Sequence, residues 1–493
     1  MIVKGVVEHG WGLENPSLGA PFTQRLHDFP FADNLSLAIV RLLAVFTSDW
    51  GLVVNLFFLS TFALVAVSSY AVARRFAVAP PVAAALAVLY AVAPYHFLRG
   101  EQHLFLSNYL AVPLAAGLLL GVLQGRGFAR REGARLSGWA TPETATTLIA
   151  GAVLASSVQY YPLFAIGLLV VAAVIRSVDA RSWRAAIGGL AAAGWIGAVF
   201  VVNLSPSLAY RLTDGTNDDV AHRTLGETSV FSFQFVDLVL PISNHRLAPF
   251  RALQRSAADA FGPPPECGAP ALGLVAGLGL LLLLATAATA VASRRALRST
   301  DRHLALMAVV ALLLGSRGGL TGLLAATVGV PLRAWNRLSI FIAFFALLAL
   351  ARIATRAIGL PGVSPVRRVV GLLIVASVTI GGILDQTSPS FRPDPVPAAA
   401  VWASDRAFVE RIERRLPPGS SVLQLPYLQF PENGPFRAMS DYDPVRGYLH
   451  SSNLRWSYGA MRDRPEDVAR GIRDLAAPPL VPAALALGFD GLW

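Results

Sequence analysis

Arginine and histidine side chains gather in two short polar segments that lie between long apolar runs. "YHFLRGEQH" places Arg99 and His103 four residues apart, and "RAWNRL" places Arg333 and Arg337 four apart around Trp335. A guanidinium group donates paired hydrogen bonds to phosphate oxygens, so these four side chains are candidate phosphate ligands. The alternative is an anchoring role, because arginine and aromatic side chains also favour the headgroup layer of a membrane.

Composition places these segments in a membrane protein. The chain has 493 residues, of which 54% are hydrophobic and only 14% charged, whereas a soluble domain has about 25% charged residues. Apolar stretches long enough to cross a bilayer predict an all-α polytopic membrane protein with about ten spans. They lie at 51–73, 79–97, 104–123, 144–159, 162–176, 185–203, 270–293, 303–316, 338–356 and 366–384.

The arginines predict how the spans are oriented. Alternate short loops carry 17 arginines, for example Arg74 and Arg75, whereas the intervening short loops carry only Arg99, Arg317, Arg333 and Arg337. Basic loops stay on the cytoplasmic side, so both candidate phosphate segments are expected on the outer face. The net charge of +11 therefore reflects topology, and we expect no nucleic-acid partner.

Three regions are expected along the chain. Residues 1–50 are interpreted as an extracytoplasmic loop followed by an amphipathic interfacial helix at 35–48, residues 51–384 as the transmembrane domain, and residues 385–493 as a small extracytoplasmic α/β domain. On the arginine count the first residues lie outside without a preceding span, so we expect one more span upstream of Met1. The C-terminal domain is likewise expected to be truncated.

A large extracytoplasmic loop near the start, many spans and a C-terminal extracytoplasmic domain together resemble the GT-C class of polytopic membrane glycosyltransferases. The resemblance extends to poorly characterised bacterial relatives of that class, some described as sugar transferases or translocases. It is carried by "NPSLGAPFTQRLHDFP" (15–30), "PYHFLRGEQHLFLSNY" (94–109), "RAWNRLSIF" (333–341) and "LRWSYGAMRDR" (454–464).

The resemblance implies a carboxylate in the first external loop, where it would deprotonate an acceptor hydroxyl. Asp28, beside His27 in "HDFP", is the first candidate for this base and Glu14 the second. The alternative is that these acids cap turns. Arg99, His103, Arg333 and Arg337 would then bind the donor phosphate.

Two aromatic residues of the C-terminal domain, Trp456 and Tyr458 in "RWSYG", are candidates for binding the acceptor sugar by stacking. The alternative is that they belong to the core of that domain.

Arg333 and Arg337 are predicted at the start of a helix, where residues four apart share one face.

The function expected from this resemblance is transfer of a hexose or pentose from a polyprenyl-phosphate-linked donor to an envelope glycan or lipid. It would take place at the periplasmic face of the bacterial inner membrane, with the lipid bilayer as the surrounding partner. No organic cofactor is required; a divalent metal remains open, and the sequence leaves its ligands unknown. Two alternatives remain: a transporter or flippase of lipid-linked sugars, and a noncatalytic envelope-assembly subunit.

Overall fold

A computed structural model describes residues 1–493 except 30, 127, 129–140, 221–222, 293–299, 330–331 and 360–363. Each of the ten predicted apolar stretches contains helix. In chain order these helices are α3 (Trp50–Arg75), α4 (Pro80–Ala91), α5 (Pro94–Arg99), α6 (Ala111–Leu123), α7 (Pro142–Ala155), α8 (Tyr160–Ala180), α9 (Ile187–Asp214), α13 (Leu274–Ala292), α14 (Thr300–Gly315), α16 (Ser339–Gly359) and α17 (Pro365–Gln386).

Within the described residues, six helices are both long and apolar enough to cross a membrane, and the chain is a multi-pass membrane protein. These six are Trp50–Arg75, Pro80–Arg99, Tyr160–Ala180, Trp183–Asp214, Trp335–Gly359 and Pro365–Gln386. The span predicted at 104–123 is α-helical only from Ala111; a separate 3₁₀ turn covers Leu104–Ser107. Asn108 between them bonds the Ser36 hydroxyl at 3.2 Å. The total of ten spans stays a prediction.

Helix α16 forms the centre of the bundle. Every residue from Ser339 to Ala349 is buried, as expected for a helix that is apolar on all sides. Because lipid tails are as apolar as the core, close packing rather than burial from water places it there. A Cβ atom added to Gly279 of α13 would lie 2.8 Å from the Ala346 carbonyl oxygen, so glycine permits this approach.

Shorter elements lie before, between and after these helices. Before α3 come α1 (Ile2–His9), β1 (Glu14–Asn15), β2 (Gln24–Arg25) and α2 (Asn34–Leu43); between α9 and α13 come α10 (Leu225–Val230), α11 (Phe235–Val239) and α12 (Ala248–Phe261); α15 (Leu320–Val328) precedes α16. After α17 follow α18 (Pro395–Glu413), β3 (Ser421–Leu423), α19 (Val445–His450), β4 (Arg455–Trp456), α20 (Ala469–Ile472), α21 (Ala477–Ala486) and β5 (Gly491–Leu492).

The opening loop and the C-terminal region share one hydrophobic core. Strands β4, β3 and β5 form a parallel sheet in that order, and Leu18 of the loop makes a further parallel bridge to Trp456. Leu18 and Leu26 pack with Val422 and Trp456 of the C-terminal region. The part of residues 1–50 that was expected as a loop of its own therefore packs as one body with residues after 395.

The bundle has two chemically different ends. At one end Arg352 Nη1 donates to the Phe76 carbonyl at 2.7 Å and its Nε donates to Asp301 at 2.8 Å, joining the ends of α16, α3 and α14. At the other end the hydroxyls of Tyr95 and Tyr161 lie 3.1 Å apart, joining α5 to the start of α8. The second end carries the polar residues of the candidate site.

Candidate functional site

Arg99 and Arg337 meet around one carboxylate. Arg99 Nη2 donates to Glu266 Oε2 at 2.6 Å, and Arg337 Nη2 lies 3.5 Å from Glu266 Oε1. The Asn336 amide donates to the same Oε2 atom, also at 2.6 Å. We refer to Arg99, Arg337, Asn336 and Glu266 as the arginine site.

Positive charge is in excess in the arginine site. Arg99 is 1% exposed and Arg337 7%, and these two guanidinium groups share the single carboxylate of Glu266. The Nε atoms of both arginines are buried, and neither has a hydrogen-bond partner within the described part of the chain. Leaving a buried donor unpaired costs about 1–3 kcal/mol, and more when it is charged. The site therefore offers fewer acceptors than its buried donors could use.

Tyrosines form the walls of the arginine site. The Arg337 guanidinium lies 3.8 Å from the centre of the Tyr160 ring, and that of Arg99 lies 4.9 Å from the Tyr95 ring. Tyr161 donates to the Leu106 carbonyl at 2.7 Å. Cation–π contacts of this kind orient a guanidinium plane without using its N–H donors, so Arg99 Nη2 stays available to bond Glu266.

Local chain geometry fixes Arg99 at the edge of the site. Pro94 starts α5 and Gly100 ends it with φ +46; a Cβ atom at Gly100 would lie 2.9 Å from the Phe97 carbonyl oxygen. Glycine is therefore required at this turn. The backbone N–H of His103 then donates to the Arg99 carbonyl at 3.0 Å, which holds these two predicted ligands together.

His103 lies beside the two arginines. Its side chain is exposed, yet desolvation against its neighbours, followed by the charges of Arg99 and Arg337, lowers the pKa of His103 to about 4. The imidazole is therefore neutral near pH 7 and can donate or accept a single hydrogen bond at the rim.

Two members of the site, Asn336 and Glu266, were not among the candidates from the sequence, and Glu266 is the charged one. It lies in "GPPPECGAPALG" (262–273), in the left-handed region at φ +46. Burial opposes its ionisation, but the charge and hydrogen bond of Arg99 outweigh burial and lower the pKa of Glu266 to about 2. The available signal was a lone acid within a glycine- and proline-rich loop on the same predicted face as Arg99.

Arg333 is held differently from Arg337. Its Nη1 lies 3.2 Å from Glu227 and its Nη2 2.9 Å from Glu432 of the C-terminal region; Glu432 also pairs with Arg223 at 2.9 Å. The prediction that Arg333 and Arg337 share a helical face is wrong, because a 3₁₀ turn begins only at Trp335 and Arg333 precedes it. Arg333 joins the C-terminal region to the bundle.

Asp28 lies in an ion pair within the shared core. Its oxygens accept from Arg464 at 2.6 and 2.8 Å and from the Asn217 amide at 3.3 Å, and Asp28 is 2% exposed. Glu14 is exposed, 3.7 Å from Arg25 and 3.9 Å from His27. Among the described residues, neither carboxylate forms an ion pair or hydrogen bond with a member of the arginine site. The base role predicted for them stays a prediction.

Trp456 and Tyr458 lie inside the core shared by the opening loop and the C-terminal region. Trp456 is fully buried and packs edge-to-face on Trp493, and Tyr458 is 4% exposed and packs edge-to-face on Phe430. Neither ring offers an open face, so stacking on an acceptor sugar does not fit this conformation. Among the described residues, no group of three or more His, Cys, Asp or Glu side chains is placed to hold a metal ion.

Two solved structures are similar to the chain over 99% of its length. One is the apo oligosaccharyltransferase of Archaeoglobus fulgidus (TM-score 0.47, 13% identity), of which the chain spans 64%. The other is ArnT of Cupriavidus metallidurans bound to undecaprenyl phosphate (TM-score 0.48, 14% identity), of which the chain spans 83%. Both neighbours are of the GT-C class named by the sequence resemblance. No family model and no curated protein matches the sequence.

Proposed function

We propose that this chain is an integral-membrane glycosyltransferase that takes a hexose or pentose from a polyprenyl-phosphate-linked donor. The observation that carries the proposal is the arginine site, where two buried guanidinium groups share one carboxylate and each retains an unpartnered Nε donor. A donor phosphate would supply the missing anion, and its polyprenyl chain would lie in the surrounding bilayer.

The arrangement suits cleavage of a glycosyl phosphate. As the bond between the sugar C1 atom and the phosphate oxygen breaks, negative charge grows on the phosphate. Buried donors directed at that position stabilise the growing charge more than water does, because they are already oriented. Arg99 and Arg337 supply such donors from two sides of the site, and His103 adds a neutral imidazole at the rim.

The active face of the proposed enzyme is the periplasmic face of the bacterial inner membrane. The arginine site lies at the bundle end opposite to Arg352 and Phe76, and the loops at that opposite end carry most of the arginines. Basic loops remain in the cytoplasm, which supports a site facing outward. The acceptor would then be an envelope glycan or lipid.

Reconstitution tests this proposal. Purified protein in proteoliposomes would be given undecaprenyl-phosphate-linked pentose or hexose together with an envelope fraction, and release of undecaprenyl phosphate would be measured. We expect release from the wild type and at least a tenfold loss for Arg337→Gln. Movement of the intact donor across the bilayer without cleavage would instead show a flippase, and neither activity would indicate a noncatalytic subunit.

A further inference from the structure

Glu266 is the anion that pairs with both guanidinium groups of the arginine site. Both of its oxygens are directed at guanidinium groups: Oε2 lies 2.6 Å from Arg99 Nη2 and Oε1 3.5 Å from Arg337 Nη2. A carboxylate presents two oxygens and one negative charge, as the two non-bridging oxygens of a phosphodiester do, but a phosphate group is larger and its ester oxygens lie beside the other two. The unpartnered Nε atoms of both arginines are consistent with a smaller anion filling the site incompletely.

The backbone at Glu266 favours release of this carboxylate. Glu266 has φ +46, a conformation that a side chain with a Cβ atom rarely adopts and that persists only when its contacts hold it. Its side chain is held by Arg99, Arg337 and Asn336, and its carbonyl accepts the Ala269 N–H at 3.2 Å. A ligand that replaces Glu266 at the two arginines would allow the backbone at Glu266 to relax.

Building on the proposed function, we propose that Glu266 holds the phosphate site in the resting state, is displaced by the donor phosphate, and then accepts the proton of the acceptor hydroxyl. The proposal assigns two roles to one side chain: a placeholder before the donor binds and a base afterwards.

The same contacts explain why the base would be inactive without a donor. While Arg99 holds it, the Glu266 carboxylate has its pKa lowered to about 2, and so weak a base removes a hydroxyl proton poorly. Displacement would take away the arginine contact and place an anionic phosphate beside the carboxylate. Both changes favour the protonated form, so binding of the donor would itself strengthen the base.

Two bonds break and two bonds form in the proposed reaction. The bond between the sugar C1 atom and the phosphate oxygen breaks, and its electron pair stays on that oxygen. The acceptor oxygen forms the new bond to C1, and its proton moves to Glu266. The products are the glycosylated acceptor, polyprenyl phosphate held by Arg99 and Arg337, and protonated Glu266, which returns its proton to water.

Equilibrium binding of undecaprenyl phosphate to the full chain in nanodiscs of zwitterionic lipid tests the placeholder role. Glu266→Gln keeps the shape but removes the charge, and we expect about tenfold tighter binding. Glu266→Gly fits the backbone at φ +46 and should also bind more tightly, which covers a failure of the glutamine variant to fold. Glu413→Gln is the control, because Glu413 accepts backbone N–H groups of Ser452 and Asn453 elsewhere; its affinity should be unchanged.

The binding results separate this inference from the proposed function. Weaker or unchanged binding in both Glu266 variants, with binding lost in Arg337→Gln, would overturn the placeholder role and leave the arginine site intact. Wild-type affinity in Arg337→Gln, or no binding by the wild type, would overturn the phosphate site itself and the placeholder with it.

Turnover tests the base role. Glu266→Gln should lower kcat for transfer by about 100-fold, the usual scale for a general base, while KM for the donor falls. A fall in both constants is the expected result when a group that competes with the substrate is also the base. An unchanged kcat would show that Glu266 is not the base.

Discussion

At the residue scale, two arginines four positions apart have different surroundings. Arg337 is almost fully buried over the Tyr160 ring and near Glu266, whereas Arg333 bridges Glu227 and Glu432. Lysine keeps the charge but cannot reproduce the planar fork of donors. We therefore expect Arg337→Lys to raise KM for the lipid-linked donor by about tenfold, as a lost charged hydrogen bond does. Donor KM of the reconstituted enzyme measures this.

Two neighbouring arginines provide controls for that measurement. Arg333→Lys should change donor KM less than threefold and act mainly on thermal stability. Arg317→Lys should leave KM unchanged, because the Arg317 Nε atom donates to the Ser229 carbonyl at 3.3 Å, away from Glu266. Equal KM values in all three variants would remove Arg337 from the phosphate site.

Asp467 supplies a test of pH dependence in the C-terminal region. Burial raises the pKa of its carboxyl from 3.8 to about 6, although the hydrogen bond from Tyr427 opposes the shift. The folded state therefore prefers the protonated acid, and stability falls as the pH rises from about 4 to about 6. At pH 7.5, Asp467→Asn should raise the free energy of unfolding by up to about 3 kcal/mol and the melting temperature with it. At pH 4 it should change neither. Asp474→Asn, at an 86% exposed site, should change neither value; a gain for Asp467→Asn at pH 4 would contradict the explanation.

At the element scale, the Asp28–Arg464 ion pair joins the opening loop to the segment after β4. Asp28 is buried and Arg464 is partly buried, and the Arg464 Nη1 atom also donates to the Asp214 carbonyl at the end of α9, at 2.6 Å. Removing one partner of a fully buried pair is destabilising by about 3–5 kcal/mol, and the partial exposure of Arg464 makes this an upper value. We expect Asp28→Asn and Arg464→Gln to lower thermal stability in detergent to a similar extent.

The double variant checks whether the two residues act as one pair. Asp28→Asn combined with Arg464→Gln should lose less stability than the sum of the single variants, because the second change removes a charge that is already unpaired. If Asp28→Asn instead abolished transfer without changing the melting temperature, Asp28 would be the base predicted from the sequence.

Sequence patterns predicted the helices well because each apolar run is a local signal. The alternation of arginine-rich and arginine-poor loops also predicted that Arg99, His103 and Arg337 share one face of the membrane. In the structure, these three side chains lie together. Glu266 was harder to predict, because its only signal was its place as a lone acid in a glycine- and proline-rich loop, and nothing local indicates that this loop folds back over α5. Burial of Trp456 in a core was the alternative that the sequence left open. The pairing of Trp456 with Leu18 could not be predicted, because the two residues lie more than 400 positions apart and strands of two or three residues show no alternation.

At the scale of the whole molecule, the orientation in the membrane can be tested directly. In a variant with Cys267 replaced by serine, single cysteines at Asp218 and Ser440 should react with an impermeant reagent in intact cells. A cysteine at Ser182, in an arginine-rich loop, should react only after lysis. All three positions are exposed, so protection would reflect sidedness; the reverse pattern would place the arginine site in the cytoplasm.

The bridge between Leu18 and Trp456 has a consequence for biosynthesis. A ribosome adding about 5–20 residues per second needs roughly 20–90 s to travel from one to the other. Throughout that interval Leu18 and Leu26 have no sheet to pack against, although the spans between are already entering the bilayer. The nascent opening loop therefore stays without its packing partner until the C-terminal strands have been made.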